Sequence, residues 1–344
     1  MVEGLVNLIT PAYNSAGFIH RLLDSVLRQT YPMIKMYIVD DGSTDNTREV
    51  IEQYMPLFEK KGYELIYRYQ ENAGQTFAIN NALKWVDGEY LLWPDSDDWY
   101  REPDAIEKLV GALKDSDDEV GMARCRYEFV SDNAFQTIQI TSFSNYGVPE
   151  NILEDVAYGK NGFWWTPGGY VVKTKFLDKF IPNRNIHTER KGGQNMQLIL
   201  PYVINSKCVS IEDVLFCYLI REDSHSKKKG FEVEKGRVEA ACRAWLNTFD
   251  STPCGMDKVK LDEYKMHGLY DLYYWLLRID VQYQSTNSFR HHVKECKELG
   301  VPLSKRYRKL SWWSTLFSIK SYYLISECHS DLRGFIFNHH NTSK

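Results

Sequence analysis

Aspartates are concentrated in two short stretches of the sequence. The stretch "VDDGSTD" contains Asp40 and Asp41, and "PDSDD" contains Asp95, Asp97 and Asp98. Carboxylates crowded together repel one another unless a cation or hydrogen-bond donors neutralise them. If the two stretches meet in the fold, they predict a divalent metal or a donor-rich ligand, and a nucleotide with a metal-bridged pyrophosphate satisfies both needs. The first stretch would then accept hydrogen bonds from a ribose or a base, while Asp97 would supply an oxygen ligand for Mg²⁺ or Mn²⁺.

Predicted secondary structure brings these two stretches to one edge of a sheet. Short apolar or β-branched runs predict strands at 5–10, 36–39, 63–69, 90–93 and 122–130. Apolar residues at helical spacing predict helices at 19–27, 50–58, 75–86 and 103–113. Alternating strands and helices imply an α/β fold with a mostly parallel sheet, helices on both faces and ligands at the carboxyl ends of the strands. Both acidic stretches directly follow predicted strands.

Each acidic stretch also has a simpler interpretation. Asp-Gly is a common turn dipeptide, and Asp or Ser before a helix is a common N-cap, so "DDGSTD" by itself favours a structural turn. The stretch "DSDD" resembles the start of a calcium-binding loop, but Tyr100 and Ile106 occupy the positions where that loop needs Gly and Glu. A dinucleotide-binding fold would have G-x-G-x-x-G after its first strand, where this chain has "TPAYNSAGF". The calcium and dinucleotide alternatives are therefore rejected.

Length and composition restrict the class of protein. At 344 residues the chain predicts a main domain with an appendage. A net charge of −4 provides no electrostatic reason to expect nucleic-acid binding. Seven cysteines without any C-x-x-C spacing argue against a disulfide framework or a structural zinc site and predict a reducing compartment, which we interpret as the cytosol. We find no export leader and no run of about 20 apolar residues, so any membrane contact is expected to be peripheral.

Four segments in a fixed order relate the sequence to a known family. They are "TPAYN", "VDDGSTD", "ENAGQTFAIN" and "PDSDD", each just past a predicted strand. In this combination the sequence resembles glycosyltransferase family 2, a group of nucleotide-sugar-dependent transferases with a GT-A fold, over about residues 5–225. The resemblance implies a GT-A domain, which we place at 1–229. It also makes a UDP-sugar the expected donor, because uridine diphosphate is the commonest donor nucleotide in such families.

The resemblance also implies roles for individual residues. Asp95 and Asp97 would form the D-x-D of the family, with the first near the ribose and the second on the metal. Asn72, with Gly74 nearby, would close over the base and the ribose. The residues expected to line the nucleoside pocket are Pro11, Ala12, Tyr13, Asp40 and Asp41.

The segment "NGFWWTPGGYVVKT" pairs two tryptophans with a glycine turn. Adjacent residues of a strand point to opposite faces, so either Trp164 or Trp165 could reach the cleft and stack on a sugar or a uracil ring. Ordinary core packing is the alternative for both rings. Gly168 and Gly169 would permit close approach of the backbone to a diphosphate.

One position departs from the family pattern. Where the family usually has Glu-Asp, with the Asp as general base, this chain has Gln194 and Asn195. Neither amide accepts a proton at neutral pH, so we take Glu189, the nearest carboxylate in the segment, as a substitute base and Asn195 as its neighbour in the catalytic site. Further on, "REDSHS" offers Arg221 for phosphate charge and His225 as a nitrogen ligand for the metal. Most surface histidines have no such role.

Beyond residue 230 helical stripes replace the acidic stretches, so residues 230–344 are predicted to form a mostly helical C-terminal region. Residues 303–325 combine basic and aromatic side chains, a pattern suited to the anionic inner face of a membrane. Ordinary packing against the catalytic domain is the alternative explanation of the same residues, and it is slightly favoured. If the membrane interpretation holds, the acceptor is expected to be lipid-linked.

The sequence therefore predicts an enzyme that moves a sugar from a nucleotide diphosphate donor to an acceptor hydroxyl, with inversion, in polysaccharide or glycolipid assembly. Two alternatives stay open at this point. Gln194 and Asn195 raise the possibility of an inactive partner subunit that still binds nucleotide sugars. A sugar nucleotidyltransferase would share the sheet and the metal, but it needs a glycine-rich, Arg-containing phosphate loop after the first strand, and we find none.

Overall fold

The structure is a computed structural model that describes residues 1–114, 116–161, 163, 165–190, 193–221 and 228–322. Nine strands are present in these residues: β1 Val2–Ala12, β2 Ile34–Asp41, β3 Glu64–Gln70, β4 Gly88–Leu92, β5 Trp99–Tyr100, β6 Val120–Ser131, β7 Thr137–Ile140, β8 Tyr170–Lys173 and β9 Lys207–Ile220. The α-helices described are α1 Ile19–Leu27, α2 Thr47–Lys61, α3 Gln75–Leu83, α4 Ala105–Lys114, α5 Leu153–Tyr158, α6 Leu177–Phe180, α7 Gln194–Asn205, α8 Phe231–Ser251, α9 Lys258–Gln282, α10 Thr286–Glu298 and α11 Lys305–Ser314.

All nine strands belong to one sheet. Its order is β3-β2-β1-β4-β8-β6-β9-β5, with β7 paired to β6. The first four strands in that order are parallel, as predicted. The prediction of a mostly parallel sheet is corrected in the other half, because β8 runs antiparallel to both β4 and β6. The α/β fold class is confirmed, and the sheet is mixed.

The local patterns that predicted the early elements have a clear physical basis in the core. Helix α1 buries the side chains that recur at helical spacing: Ile19, Leu22, Leu23 and Val26. Strands β1 and β2 are buried along almost their whole length, as expected for central parallel strands covered on both faces. This packing holds the ends of the strands, and the loops that follow them, in fixed positions.

The chain divides into two compact units. The first comprises Met1–Lys228 and Arg243–His267 and contains the sheet. The second comprises Lys229–Cys242 and Gly268–Lys344, and its described part is helical. A boundary at residue 229 between a transferase domain and a C-terminal region stays a prediction. Among the described residues, no helix is both long enough and apolar enough to cross a membrane.

Candidate active site

The two acidic stretches lie at the same edge of the parallel half of the sheet. Ala12, the last residue of β1, pairs with Asp40 of β2, and β4 pairs with the other side of β1. The loops after β1 and β4 are joined directly, because the hydroxyls of Ser15 and Ser96 lie 3.0 Å apart. The carboxyl ends of three neighbouring parallel strands therefore form one edge, which we call the acidic rim: residues 40–41 and 95–98.

Asp41 holds the loop that follows β3. Its Oδ1 accepts hydrogen bonds from the backbone N–H of Ala73 at 2.8 Å and from Gln70 Nε2 at 2.7 Å, and its Oδ2 accepts from the N–H of Gly74 at 2.8 Å. A buried carboxylate with three such donors is well stabilised. Asp41 therefore positions the segment 72–74, which the sequence assigned to the nucleoside, and this role was not predicted.

Asp40 is also engaged by donors from the protein. Its Oδ1 accepts from the backbone N–H of Ser43 at 2.8 Å, and its Oδ2 accepts from the Tyr67 hydroxyl at 2.7 Å. The Ser43 bond belongs to the structural turn that "DDGSTD" also indicated. The turn and the predicted nucleoside contact are compatible, since each carboxylate oxygen has two lone pairs.

The residues predicted from "TPAYN" lie at the end of β1, beside Asp40. Pro11 and Ala12 are buried in the strand, whereas Tyr13 just beyond it is exposed. Asn72 contacts the loop after β2: a Cβ added to Gly42, where φ is +80°, would lie only 2.8 Å from the Asn72 backbone nitrogen. Glycine is therefore required at position 42 for this close approach. These residues border one region next to the acidic rim.

Asp95 is the point where three separate segments meet. The side chain of Asn195, near the start of α7, hydrogen-bonds to it, and Gln75 Nε2, at the start of α3, lies 3.3 Å from its Oδ1. Burial and then the neighbouring charge of Asp97 raise the pKa of Asp95 to about 8, while the hydrogen bond from Asn195 opposes that rise. Burial and the charge of Asp97 therefore both disfavour the ionised form of Asp95.

Asp97 is paired with Arg221. Arg221 Nε donates to Asp97 Oδ2 at 3.0 Å, and the Arg221 guanidinium also lies 4.1 Å from the centre of the Phe18 ring. Arg221, predicted to bind a phosphate, and Asp97, predicted to bind the metal, are thus brought together at the rim. His225, the predicted nitrogen ligand, lies outside the described residues.

Asp98 has a structural role at the rim. Its Oδ1 accepts from the backbone N–H of Leu219 in β9 at 2.8 Å, so it connects the loop after β4 to that strand. Burial, and then the charges of Asp97 and Asp95, raise the pKa of Asp98 well above its usual value. Its Oδ2 is buried and has no hydrogen-bond partner among the described residues.

Glu189 lies in an ion pair. Arg243 donates from Nε to Oε1 at 2.6 Å and from Nη2 to Oε2 at 3.2 Å, and His187 Nε2 lies 3.3 Å from Oε1. The hydrogen bond from Arg243 is the main cause that lowers the pKa of Glu189. A carboxylate with a lowered pKa is a weak proton acceptor. The assignment of Glu189 as the general base stays a prediction, and its surroundings weaken it.

The backbone around Glu189 is attached to helix α3. Thr76 Oγ1 donates to the Glu189 carbonyl at 2.9 Å and accepts from the Glu189 N–H at 3.0 Å. Asn80 makes the same two-way contact with Ile186, and Arg190 Nη2 donates to the Asn72 carbonyl at 2.8 Å. The loop 186–190 and the loop 72–74 therefore form one connected wall beside Asp95.

Gly168 of the glycine turn and Trp165 have packing roles in the structure. Trp165 contacts the rings of Phe163 at 4.7 Å and Trp245 at 6.4 Å, so it belongs to an aromatic cluster. A Cβ on Gly168 would overlap the Phe216 ring at 2.0 Å, which explains that glycine without a diphosphate. Trp164 lies outside the described residues. Stacking of Trp165 on a ligand stays a prediction.

The acidic rim fits a divalent cation of the Mg²⁺ or Mn²⁺ type. Its carboxylates are hard oxygen donors, and a cation would offset the burial and the charge of Asp97 that raise the pKa of Asp95. In the part of the chain that the structure describes, no group of three or more His, Cys, Asp or Glu residues is arranged to hold a metal ion. Such ions commonly take one or two carboxylates and complete their coordination with phosphates and water. Asp97 is the residue best placed to hold one.

Three functional contributions were not found from the sequence. Gln75 lies within "ENAGQ", and its place at the start of α3 was a usable signal. Asn195 was predicted to lie in the catalytic site, but the hydrogen bond that its amide donates to Asp95 was not predicted. Arg243 was assigned to the C-terminal helical region, and no sequence signal connects it with Glu189, 54 residues away.

Comparisons with known proteins relate this arrangement to a family. The family model described as glycosyl transferase family 2 matches residues 7–171. That segment begins within β1 and contains β2 to β4 and the whole acidic rim. Over these residues the chain is therefore similar to glycosyltransferase family 2, as the sequence analysis predicted. The predicted family and transferase class are confirmed.

Curated relatives resemble this chain over part of their length. Glycosyltransferase GlyA of Streptococcus pneumoniae is 26% identical over 66% of this chain and 32% of its own. The putative teichuronic acid biosynthesis glycosyltransferase TuaG of Bacillus subtilis is 41% identical over 31% of this chain and 40% of its own. The chain thus spans about a third of the length of GlyA and two fifths of TuaG.

Solved structures share the fold. The structure of S. aureus TarS 1–349 has a TM-score of 0.65 and 17% identity, covering 95% of this chain and 91% of that one. The mannosyltransferase PcManGT from Pyrobaculum calidifontis, in complex with GDP-Man and Mn²⁺, has a TM-score of 0.54 and 18% identity, covering 92% of this chain and 85% of that one. At these identities the likeness supports the GT-A-like fold alone.

Proposed function

We propose that this family 2 chain transfers a sugar from a nucleotide diphosphate donor to the hydroxyl of a saccharide acceptor, in the assembly of a polysaccharide or a glycolipid. One observation carries the proposal. Asp95 is contacted by Gln75, which directly follows the segment positioned by Asp41, and by Asn195 of α7. Asp97, two residues further on, is paired with Arg221. A nucleoside, a diphosphate and a cation each have suitable partners within this one region.

The donor in the proposal is a UDP-sugar. TarS 1–349 has been solved in complex with UDP-GlcNAc, with a TM-score of 0.55 to this chain, and this supports a nucleotide sugar as the donor class. The carboxylates and amides around Asp41 offer acceptors and donors for a base edge and a ribose. The choice of uridine rests on the commonest donor of the family.

The residues of the rim have distinct roles in the proposed reaction. Asp97, and His225 as the predicted second ligand, would hold Mn²⁺ or Mg²⁺, which when bound neutralises charge on the departing diphosphate. Arg221 would pair with a phosphate oxygen in the same way. Asn195 would hold Asp95 near the ribose of the donor. Glu189 stays the candidate that accepts the proton of the acceptor hydroxyl. The reaction is proposed to invert the anomeric centre, as the family usually does.

A direct test measures donor binding and transfer on the same preparation. Calorimetric titration with a panel of nucleotide sugars, with and without Mn²⁺, should show metal-dependent binding of one nucleotide class. Asp97→Ala should abolish metal-dependent binding and transfer with the fold intact. Ser116→Ala, a small change near the end of α4 and away from the rim, serves as the matched control. Unchanged turnover in Asp97→Ala would contradict the proposed mechanism.

A second candidate function is a nucleotide-sugar-binding subunit without activity. It is favoured by the amide at Asn195 and by the ion pair that occupies Glu189. Slow hydrolysis of the donor in the presence of Mn²⁺ distinguishes the two candidates, because an inactive subunit binds the donor and leaves it intact. Measurable hydrolysis that is lost in Asp97→Ala supports the enzyme.

The proposal also includes the cellular context predicted from the sequence. The cysteine pattern predicts the cytosol, and the segment 303–325 predicts contact with the inner face of a membrane. A saccharide carried on a lipid would then be the acceptor. The transferase domain is proposed to be 1–229, followed by the helical region 230–344.

A further inference from the structure

Helix α11 and the turn after it expose a basic and aromatic surface. Trp312 is 68% exposed, Leu316 69% and Phe317 51%. On the same segment Tyr307, Leu310 and Ile319 are buried. Core packing therefore explains only part of the aromatic and apolar residues. The exposed part is defined here as the α11 surface: Lys305, Arg308, Lys309, Trp312, Leu316 and Phe317.

The exposed residues form a continuous stripe. Lys305, Lys309, Trp312 and Leu316 follow one another at spacings of four, three and four residues, which places them on one side of a helix. The backbone N–H of Leu316 bonds to the Trp313 carbonyl at 3.1 Å, so the helical course continues into the turn. The stripe runs from cations at its start to large apolar side chains at its end.

Charge in this segment has a single sign. Residues 299–322 contain five cations, Lys305, Arg306, Arg308, Lys309 and Lys320, and no Asp or Glu. All five are exposed. Other helices of the same unit mix charges, as in the Lys294–Glu298 pair of α10. A surface that is uniformly positive fits an anionic partner.

The apolar residues decide which anionic partner fits best. Tryptophan and leucine beside a row of Lys and Arg are typical of helices that lie in the interface of a lipid bilayer, with the apolar side chains among the acyl chains and the cations at the headgroups. A soluble anionic polymer would use the cations and leave Leu316 and Phe317 in water. We propose that the α11 surface binds an anionic lipid bilayer. This inference deepens the membrane contact included in the proposed function, by naming the surface and the lipid charge, and it does not depend on the transfer reaction.

The test uses the whole chain and lipid vesicles. Vesicles with about a third of phosphatidylglycerol in phosphatidylcholine should bind the protein in a flotation assay, and vesicles of phosphatidylcholine alone should bind it much more weakly. Lys305→Gln with Lys309→Gln should weaken binding by on the order of 25-fold, about fivefold for each cation near the surface. Trp312→Ser with Leu316→Ser should weaken it at least tenfold, because the apolar burial of both side chains in the bilayer is lost.

Matched controls separate this surface from general effects. Lys294→Gln with Lys297→Gln removes the same charge from α10 of the same unit, and Trp275→Ser removes a tryptophan that is 50% exposed on α9. Both should bind like the wild type. In the wild type, brominated acyl chains should quench tryptophan emission, and Trp312→Phe should lose most of that quenching.

Several outcomes would overturn the proposal. Controls that weaken binding as much as the α11 variants would show that the effect is not specific to this surface. Salt-sensitive binding that survives Trp312→Ser with Leu316→Ser would indicate an anionic polymer as the partner. A wild-type dimer in sedimentation velocity that the same variant converts to a monomer would assign the surface to a second copy of this chain. Absence of vesicle binding would exclude a membrane role and leave the proposed transferase function untouched.

Discussion

Arg221 and Asp97 are joined by a direct ion pair at the acidic rim. Both Nε and Nη2 of the arginine lie 3.0 Å from Oδ2 of the carboxylate. The predicted metal ligand and the predicted phosphate ligand therefore neutralise each other in this arrangement. A donor that carries both a cation and a diphosphate can replace the pair with two new ones, a carboxylate on the cation and a guanidinium on a phosphate.

The first prediction concerns Arg221→Gln. Without the guanidinium, Asp97 loses the cation that is hydrogen-bonded to it, so affinity for Mn²⁺ alone should rise. Affinity for UDP in the presence of Mn²⁺ should fall by on the order of tenfold or more, because a charged hydrogen bond to phosphate contributes about 1.5–3 kcal/mol. Calorimetric titrations of the metal alone and of UDP with the metal measure the two effects. Changes in the same direction would contradict an exchange of partners.

The second prediction concerns Asp41→Asn. The Asp41 carboxylate accepts backbone N–H bonds from Ala73 and Gly74, one at each oxygen. An amide has one oxygen and no charge, so its NH₂ group would face one of these two N–H donors. Unfolding free energy should fall by about 1.5–3 kcal/mol, measured by chemical denaturation. Nucleotide affinity should fall as well, since the loop loses its attachment.

Asp40→Asn is the neighbouring control for Asp41→Asn. Among the residues that the structure describes, Asp40 accepts one backbone N–H, from Ser43, and none from the loop 72–74. Hydrogen exchange of the Ala73 and Gly74 amides should accelerate in Asp41→Asn and stay unchanged in Asp40→Asn. Equal acceleration in both variants would show that Asp41 does not specifically hold the loop.

The third prediction separates a base from a structural anchor at Glu189. If Glu189 accepts the proton, Glu189→Gln should lower kcat by on the order of 10²–10⁴-fold with donor affinity preserved. Arg243→Gln should then raise the Glu189 pKa and move the acidic limb of the pH–rate profile to higher pH, because the main lowering contact is removed. Kinetics of both variants across pH provide the measurement. If both variants lose rate equally, with no shift of the limb, Glu189 anchors the loop and the base lies elsewhere.

The fourth prediction concerns pH and the second unit. His292 is fully buried, with Nδ1 2.6 Å from Asp280 Oδ2 and Nε2 3.3 Å from Glu239 Oε1. Burial alone lowers the His292 pKa, but the hydrogen bonds and charges of Asp280 and then Glu239 outweigh it and raise the pKa above 6.5. The folded state therefore binds this proton more tightly than the unfolded state.

The sign of the pH effect follows from that difference. The stabilisation is complete below about pH 6.5 and is lost as the pH rises through the raised pKa of the folded state. Chemical unfolding at about pH 6 and about pH 9 should show lower stability at the higher pH, and His292→Gln should reduce this dependence. Lys235 lies 3.4 Å from Glu239, so Lys235→Gln is a control that changes the charge nearby and keeps the histidine. An unchanged pH dependence in His292→Gln would contradict the assignment.

Much of the first half of the fold could be predicted because its signals are local. The predicted strand at 36–39 lies within β2, Ile34–Asp41, and the predicted helix at 75–86 begins with α3, Gln75–Leu83. Buried parallel strands are apolar throughout, and amphipathic helices repeat every three to four residues, so both leave a pattern in the chain. The direction of β8 leaves no such pattern, since a short buried strand has the same run of apolar residues whether its neighbours are parallel or antiparallel.

The sequence by itself predicted the resemblance to glycosyltransferase family 2, the α/β class, and the meeting of both acidic stretches at one sheet edge, because the ends of strands are marked by local periodicity and by short motifs. Only the tertiary structure decided how the carboxylates are used: Asp41 holds a loop, Asp97 pairs with Arg221, Asp95 receives Asn195, and Glu189 is bound by Arg243. Hydrogen bonds and ion pairs form between side chains that are distant in the chain, and the acidity of each carboxyl depends on burial and on those neighbours. Neither the contacts of a carboxylate nor its acidity in the fold is determined by the residue type.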